Sequence, residues 1–227
     1  MNKITKKAEN ILKEAISIAR TYGFDITVEW VLKHWNGPNR FWHTPEHLFN
    51  MLVGIKELKD NHICKENEYN ILVISALFHD IIYDTKKEDN EEKSVDLMLS
   101  TINNQIVDNS VHISEKRIKE DIDKIIHIIL ATKIHNNNDE ICKKFNDLDT
   151  NILDARFIDM LDWENKIRQE YKWIEHKEYK KKRIKFLLGQ IKSHPDNTVN
   201  IKKLINYINS ERITTNSRFS CFIKKFY

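Results

Sequence analysis

Glycine and cysteine are both scarce in this chain, and each shortage removes a class of chemistry. The four glycines, Gly23, Gly37, Gly54 and Gly189, lie far apart. Neither a P-loop nor a dinucleotide fingerprint can be built from them, because both need clustered glycines for close backbone approach to phosphate. Any phosphate bound must therefore be held by side chains or a metal. The three cysteines, Cys64, Cys142 and Cys221, are odd in number, widely spaced and without a CxxC pair. That pattern indicates neither a disulfide framework nor a thiolate metal site, and its default setting is a reducing cytoplasm. No G-x-S-x-G elbow is present and Ser75 sits inside an apolar run, so a serine hydrolase gains no support. An excess of one charge is missing too: 37 Lys and Arg stand against 34 Asp and Glu, a net charge of +3. There is no global field that would demand nucleic acid as a partner. No apolar stretch approaches a membrane span, and the opening Met1-Asn-Lys-Ile-Thr-Lys-Lys7 is no signal core.

What is abundant is helical periodicity. Ile4, Ala8, Ile11, Ala15, Ile18 and Ala19 mark a first amphipathic helix ended by Gly23, and Phe24, Val28, Val31, Leu32 and Trp35 a second. Further helical segments are expected near residues 45–60, 66–83, 90–103, 114–134, 150–173, 176–191 and 197–210, joined by polar links such as Asn136-Asn-Asn-Asp139. Alternating runs bounded by turn signals are missing. An all-α, single-domain bundle is expected, with a main domain over 1–190 and a helical tail over 191–227 packed on it.

Three segments carry metal-type ligands: Phe41-Trp-His-Thr-Pro-Glu-His47, Leu77-Phe-His-Asp80 and Asp147-Leu-Asp149. Neutral imidazoles and carboxylates are what a metal-dependent hydrolase needs to hold a divalent cation that ionises a water. His79-Asp80 alone is weak, since composition supplies about 0.7 such dipeptides by chance. Its setting adds more: the apolar run Ile71–Phe78 leads into it and Ile81-Ile82 continue it, so the pair is expected on a largely buried helix, where a carboxylate needs a partner or a metal. A core histidine beside a salt-bridged aspartate is the competing reading. Thr44 reads as an N-cap with Pro45 at the first helical position, placing His43 just outside a helix and His47 one turn in. Asp147 and Asp149 precede Ile152, Leu153, Phe157 and Ile158 and are expected at a helix entrance, where capping is an ordinary alternative role. An antiparallel helix pair can bring His43 and His79 to one end.

At this point the chain resembles the HD superfamily of metal-dependent phosphohydrolases, and within it the compact branch of predicted metal-dependent HD phosphohydrolases. Arg40-Phe-Trp-His-Thr-Pro-Glu-His47 is similar to that branch's HTxxH entrance, and Phe78-His-Asp-Ile-Ile-Tyr-Asp84 to its FHDxxYD core. Asp89-Asn-Glu-Glu-Lys-Ser94, Leu130-Ala-Thr-Lys-Ile-His135, Asp147-Leu-Asp149 and Ile167-Arg-Gln-Glu-Tyr171 follow in the branch's order. Asp154 stands where the family usually has glycine, and the family pattern fades from about Gln190.

The resemblance implies His43, His79, Asp80 and Asp149 as metal ligands. Such a nitrogen and oxygen set suits Mn, Fe, Co, Ni, Zn or Mg and does not choose among them, and the number of ions, one or two, stays open. Glu91, with Asp84 competing, is the candidate proton acceptor. Lys133, Arg40 and Arg168 are candidates to receive phosphate oxygens. His47 and His135 are candidate donors or proton carriers, and Tyr171 a candidate substrate contact. The implied activity is hydrolysis of a phosphomonoester or phosphodiester in a small, nucleotide-like phosphorylated substrate. Two alternatives stand beside it. One is a catalytically silent metal-binding scaffold that senses a phosphorylated ligand. The other is a basic nucleic-acid-associated helical protein, suggested by Lys177–Arg183 and the tail Ser217–Tyr227. No membrane partner is expected, and the oligomeric state is open.

Overall fold

The computed structural model describes residues 6–103, 114–134 and 139–210. Among these, ten α-helices follow one another: α1 (Lys6–Thr21), α2 (Val28–Trp35), α3 (Pro45–Asp60), α4 (Glu66–Phe78), α5 (Asn90–Ser100), α6 (Glu115–Thr132), α7 (Glu140–Asp149), α8 (Phe157–Glu170), α9 (His176–Gln190) and α10 (Thr198–Asn209). The described residues contain no strand; a lone antiparallel bridge joins Phe24 to Ile102. The expected all-α class is what the chain adopts. Two compact units are formed, the first from residues up to Asn151 with Lys166–Glu170, the second from Ile152–Asn165 and the residues from Tyr171 onward.

In the first unit α4 is the spine. Every residue from Ile71 to Phe78 is buried, and a helix apolar on all sides can only be stable with neighbours on all sides. Helices α1, α3, α5, α6 and α7 supply them. The stripe Leu12, Ala15, Ile16 and Ala19 seats α1, and Ile125, Ile128 and Ile129 seat α6. Each fully buried aliphatic side chain contributes about 1.5–3 kcal/mol, and truncating Leu72, which has no exposed surface, would cost about 2–5 kcal/mol. After α1, Gly23 adopts φ 88°, a left-handed conformation that ends the helix as its position suggested.

The structure departs from the periodicity at the places that matter for the candidate ligands. Helix α4 was expected to run to residue 83, yet it stops at Phe78, with His79 as its C-cap. Beyond that point other groups take over the backbone polar atoms. Arg40 donates to the carbonyls of Asp80 and Ile81 at 2.7 and 3.1 Å, and the Ser94 hydroxyl accepts the Ile82 N–H at 3.2 Å. The His-Asp pair thus lies in the turn leaving a helix, where the two side chains are not fixed about 100° apart. Helix α7 falls in a stretch where no helix was expected. Asp139 caps it, accepting the Cys142 N–H at 2.8 Å, and Ile141, Cys142, Phe145 and Leu148 line its inner side. Asp147 and Asp149 therefore close the last turn of a helix and do not open one. The expected segment 150–173 is divided by a 3-10 turn at Asn151–Asp154 before α8 begins. Thr44 does hold the N-cap position of α3, but its hydroxyl does not cap the helix.

In the second unit Ile201, Leu204, Ile205 and Ile208 of α10 form one apolar stripe, and α10 packs on α9. A buried polar cluster lies beside it: Glu164 accepts from Tyr179 Oη at 2.6 Å and from Arg183 Nε at 2.7 Å, and the Arg183 guanidinium covers the Trp163 ring at 4.1 Å. One cation of the basic run Lys177–Arg183 is thereby committed to packing. The tail Ser217–Tyr227 lies outside the described residues. Among the described residues no helix is long and apolar enough to cross a membrane.

Candidate metal centre

The loop before α3 is shaped by a carboxylate more than a hundred residues away in sequence. Glu170, the last residue of α8, has a side chain without solvent exposure. Its Oε1 accepts the consecutive N–H groups of Phe41, Trp42 and His43 at 2.7, 2.7 and 3.1 Å. Its Oε2 accepts from His43 Nδ1 and from Tyr83 Oη, both at 2.7 Å. Burial alone would raise this carboxyl's pKa, but the His43 ring and the backbone N–H groups win and bring it down to about 2. The Tyr83 ring stacks on His43 with centroids 4.3 Å apart, so the imidazole is held at its edge and on its face.

Around this loop the other ligand-type residues converge. His79 is 1 % exposed, and its Nδ1 lies 3.1 Å from the Ala76 carbonyl oxygen. A carbonyl only accepts, so Nδ1 carries the proton and, in the neutral ring, Nε2 is left with a lone pair. That Nε2 is buried without a hydrogen-bond partner, at 3.3 Å from Asp80 Oδ2 and 3.6 Å from Asp149 Oδ1. His47 Nε2 lies 3.0 Å from the same Asp149 oxygen, and His43 Nε2 3.9 Å from Asp80 Oδ2. Ligand atoms of His47, His79 and Asp80 all fall within 4.8 Å of one another. Trp35 lies against both the His47 and His79 rings, and Phe145 against His79.

A lone pair facing two carboxylates requires positive charge at its centre. The titration of the group expresses this: burial opposes a charged His79, yet Asp80 and Asp149 push its pKa up to about 10. In turn the charge of His79 and then of His43 overcomes burial and holds the Asp80 carboxyl well below the usual carboxylate range. His43 is raised as well, against burial, by Glu170 and Asp80. A proton can satisfy the centre, and so can a divalent cation, for which an unpaired imidazole nitrogen beside two carboxylates is a fitting donor set.

Of the four ligands the resemblance implied, Asp80 and Asp149 both face His79 Nε2, and His43 stands at the edge of the group. His47, a candidate donor or proton carrier in the sequence, is among the tightly grouped ligand atoms. Glu91 lies in the first turn of α5, half-buried, its pKa raised by burial and by Asp80. Asp84 is exposed, and its carboxylate accepts the Lys86 N–H at 3.0 Å. The Arg40 guanidinium donates to the His43, Asp80 and Ile81 carbonyls and lies over the Trp35 and Tyr83 rings. Lys133 pairs with Glu92 at 2.5 Å on the surface. Arg168 is buried near the end of α8. Tyr171 belongs to the second unit, its ring 6.3 Å from that of Tyr179, and His135 lies outside the described residues.

Glu170 and Tyr83 were missed as functional candidates, although both stand in the segments already singled out, Ile167–Tyr171 and Phe78–Asp84. A second cluster, His127, Asp139 and Cys142, also brings ligand-type atoms within 4.8 Å. There Asp139 caps α7 and pairs with His127 at 2.7 Å, and burial pushes the Cys142 thiol up to about 12, so helix capping accounts for the arrangement. No protein-family model, curated protein or solved structure matches this chain.

Proposed function

We propose that the protein is a metal-dependent phosphohydrolase of the HD type, acting on a phosphomonoester or phosphodiester bond of a small phosphorylated substrate. The observation that carries this reading is the buried His79 Nε2, unpaired between the carboxylates of Asp80 and Asp149. The ordered motifs of the resemblance supply the reaction class, and the nucleotide-like substrate rests on them alone. His47, His79, Asp80 and Asp149, joined by His43, would hold the ion. When bound, a divalent cation supplies Lewis acidity, polarising a phosphoryl oxygen and lowering the pKa of water.

The chain's own groups divide the remaining work. Glu91 is favoured over Asp84 as proton acceptor, since its raised pKa moves it toward the range of an effective base, whereas Asp84 is exposed and occupied by a turn. Lys133, on the surface beside Glu92, offers a point charge to phosphate oxygens, and Arg168 a planar fork. Arg40 spends its donors on three carbonyls, so its part is to hold the His43 and Asp80 segments together.

The test is metal analysis of the purified protein, followed by a manganese-supplemented screen of phosphorylated metabolites. The expected result is about one tightly bound divalent ion and phosphate release, both lost in Asp80→Ala. Full metal content and activity in that variant would overturn the site assignment. A wild type that binds metal and retains a phosphorylated ligand without turning it over would make the protein a sensing scaffold.

A further inference from the structure

We infer that Glu170 is a positioning residue that fixes His43 as the Nδ1–H tautomer, with the Nε2 lone pair turned toward the His79 and Asp80 group; this rests on the metal-centre reading above.

Three observations converge on it. An ionised carboxylate has no proton to give, so the 2.7 Å contact between Glu170 Oε2 and His43 Nδ1 requires the proton on Nδ1. The second nitrogen, Nε2, then presents its lone pair on the side of Asp80, whose Oδ2 is 3.9 Å away and outside hydrogen-bond range. Ring rotation is opposed because the same carboxylate binds the His43 backbone N–H, and Tyr83, itself donating to Oε2, stacks on the ring with the two planes inclined by 30°. Three separated segments are thus tied by one buried side chain, the pattern by which an outer carboxylate orients an imidazole ligand and raises its basicity.

The chemistry of the amide makes the inference sharp. In Glu170→Gln the remaining carbonyl oxygen must stay on the three N–H groups of Phe41, Trp42 and His43, because turning the NH₂ there would set donor against donor. The NH₂ then faces His43 Nδ1 and can only donate to it. Nδ1 must become the acceptor, the proton moves to Nε2, and the lone pair toward the group disappears. The backbone of the loop keeps its three bonds throughout.

The experiment reads the tautomer and the metal separately. Ring ¹⁵N shifts of His43, assigned by difference against His43→Asn, are recorded on zinc-free protein at alkaline pH where the ring is neutral. Zinc affinity is measured by chelator competition. The expected result is the Nδ1–H form in wild type, the Nε2–H form in Glu170→Gln and a zinc affinity lowered about 10–100-fold. Tyr83→Phe, which removes one bond to Oε2 and leaves the other, should keep the Nδ1–H form and lose less than Glu170→Gln does. An Nε2–H ring in wild type overturns the inference whatever the variants do. So does a Glu170→Gln protein that keeps the Nδ1–H form or binds zinc as tightly as wild type. A wild type that binds no zinc, while the tautomer switches as described, overturns the metal-centre reading and upholds the hold of Glu170 on His43.

Discussion

Asp121 and Asp80 are both acidic residues set into the first unit, yet their surroundings are opposite in kind. Asp121, on α6, has no exposed surface. It accepts from Tyr22 Oη at 3.2 Å and from Asn67 Nδ2 at 3.1 Å, with Arg117 and Lys124 at 3.4 and 3.6 Å. Each of its oxygens meets a donor and a cation, so the site is complete as it stands. Asp80 faces the unpaired nitrogen of His79, with the Asp149 carboxylate on that nitrogen's other side. The first arrangement is how a helix bundle tolerates a buried charge. The second leaves a deficit of positive charge that only an added proton or cation removes. Burial of a carboxylate is therefore no mark of function by itself; what separates the two regions is whether the surrounding donors are sufficient.

The largest expected effects follow from that contrast. Asp80→Ala should lower kcat/KM for the best phosphorylated substrate by about 10³-fold or more, the several kcal/mol that a bound metal contributes to a transition state. In thermal unfolding, wild type should gain about 2.7 kcal/mol at zinc a hundredfold above its Kd, and Asp80→Ala should unfold alike in zinc and in chelator. Asp121→Ala should instead lose about 1–3 kcal/mol, the same in both conditions, through the stranded Tyr22 and Asn67 donors. Arg117 and Lys124 add little to that loss, since they are half-exposed and stay hydrated. A zinc-dependent loss in Asp121→Ala, or a zinc response that persists in Asp80→Ala, would erase the distinction.

A smaller effect tests the completed site by pH. Burial, reinforced by Asp121, raises the Tyr22 hydroxyl to about 12, above its ordinary value near 10. A group with a raised folded pKa binds its proton more tightly in the native state. The stability it contributes is fully present below pH 10 and is lost as pH rises from 10 through 12. Urea titrations should show wild type losing on the order of 2 kcal/mol more than Tyr22→Phe across that window. The fall that remains in the variant belongs to other raised groups, Cys142 and Tyr69 among them. An unchanged alkaline slope in Tyr22→Phe would place the titrating group elsewhere.

The all-α class and the α3 start at Pro45 were legible in the sequence, because helical periodicity and a proline in the first helical turn are local signals. The grouped His47, His79 and Asp80 stand in segments singled out for their ligand types. Where α4 ends was not legible. Ile81 and Ile82 continue the apolar pattern, and what takes the chain out of the helix register is tertiary: Arg40 on the Asp80 and Ile81 carbonyls and Ser94 on Ile82. Helix α7 was overlooked for a different reason. Its four apolar positions are spread over ten mostly polar residues, too thin a stripe to stand out without the Asp139 cap being recognised. Glu170 could not be ranked above Arg168 from its motif, because an acidic residue at a helix end reads as solvated until the three N–H groups it serves are in place.

The subtlest prediction concerns how α7 reaches the site, one residue before Asp149. A Cβ at Gly54, in the middle of α3, would lie 2.6 Å from Leu148 Cδ2, so the missing side chain is what allows this close approach. Because the obstructing atom ends a flexible side chain, Gly54→Ala should be accommodated by rotation of Leu148, with the gain in helix propensity of up to about 1 kcal/mol offsetting much of the strain. Global stability should then barely move. Asp149, which shares its Oδ1 between His47 and His79, follows any shift of its neighbour, and a small displacement is enough to weaken ligation. The expected outcome is a nearly unchanged unfolding midpoint in chelator together with a zinc affinity reduced a few-fold. Equal affinity in the two proteins would mean that Asp149 is held by its own contacts and that the close packing of α3 on α7 serves the core alone.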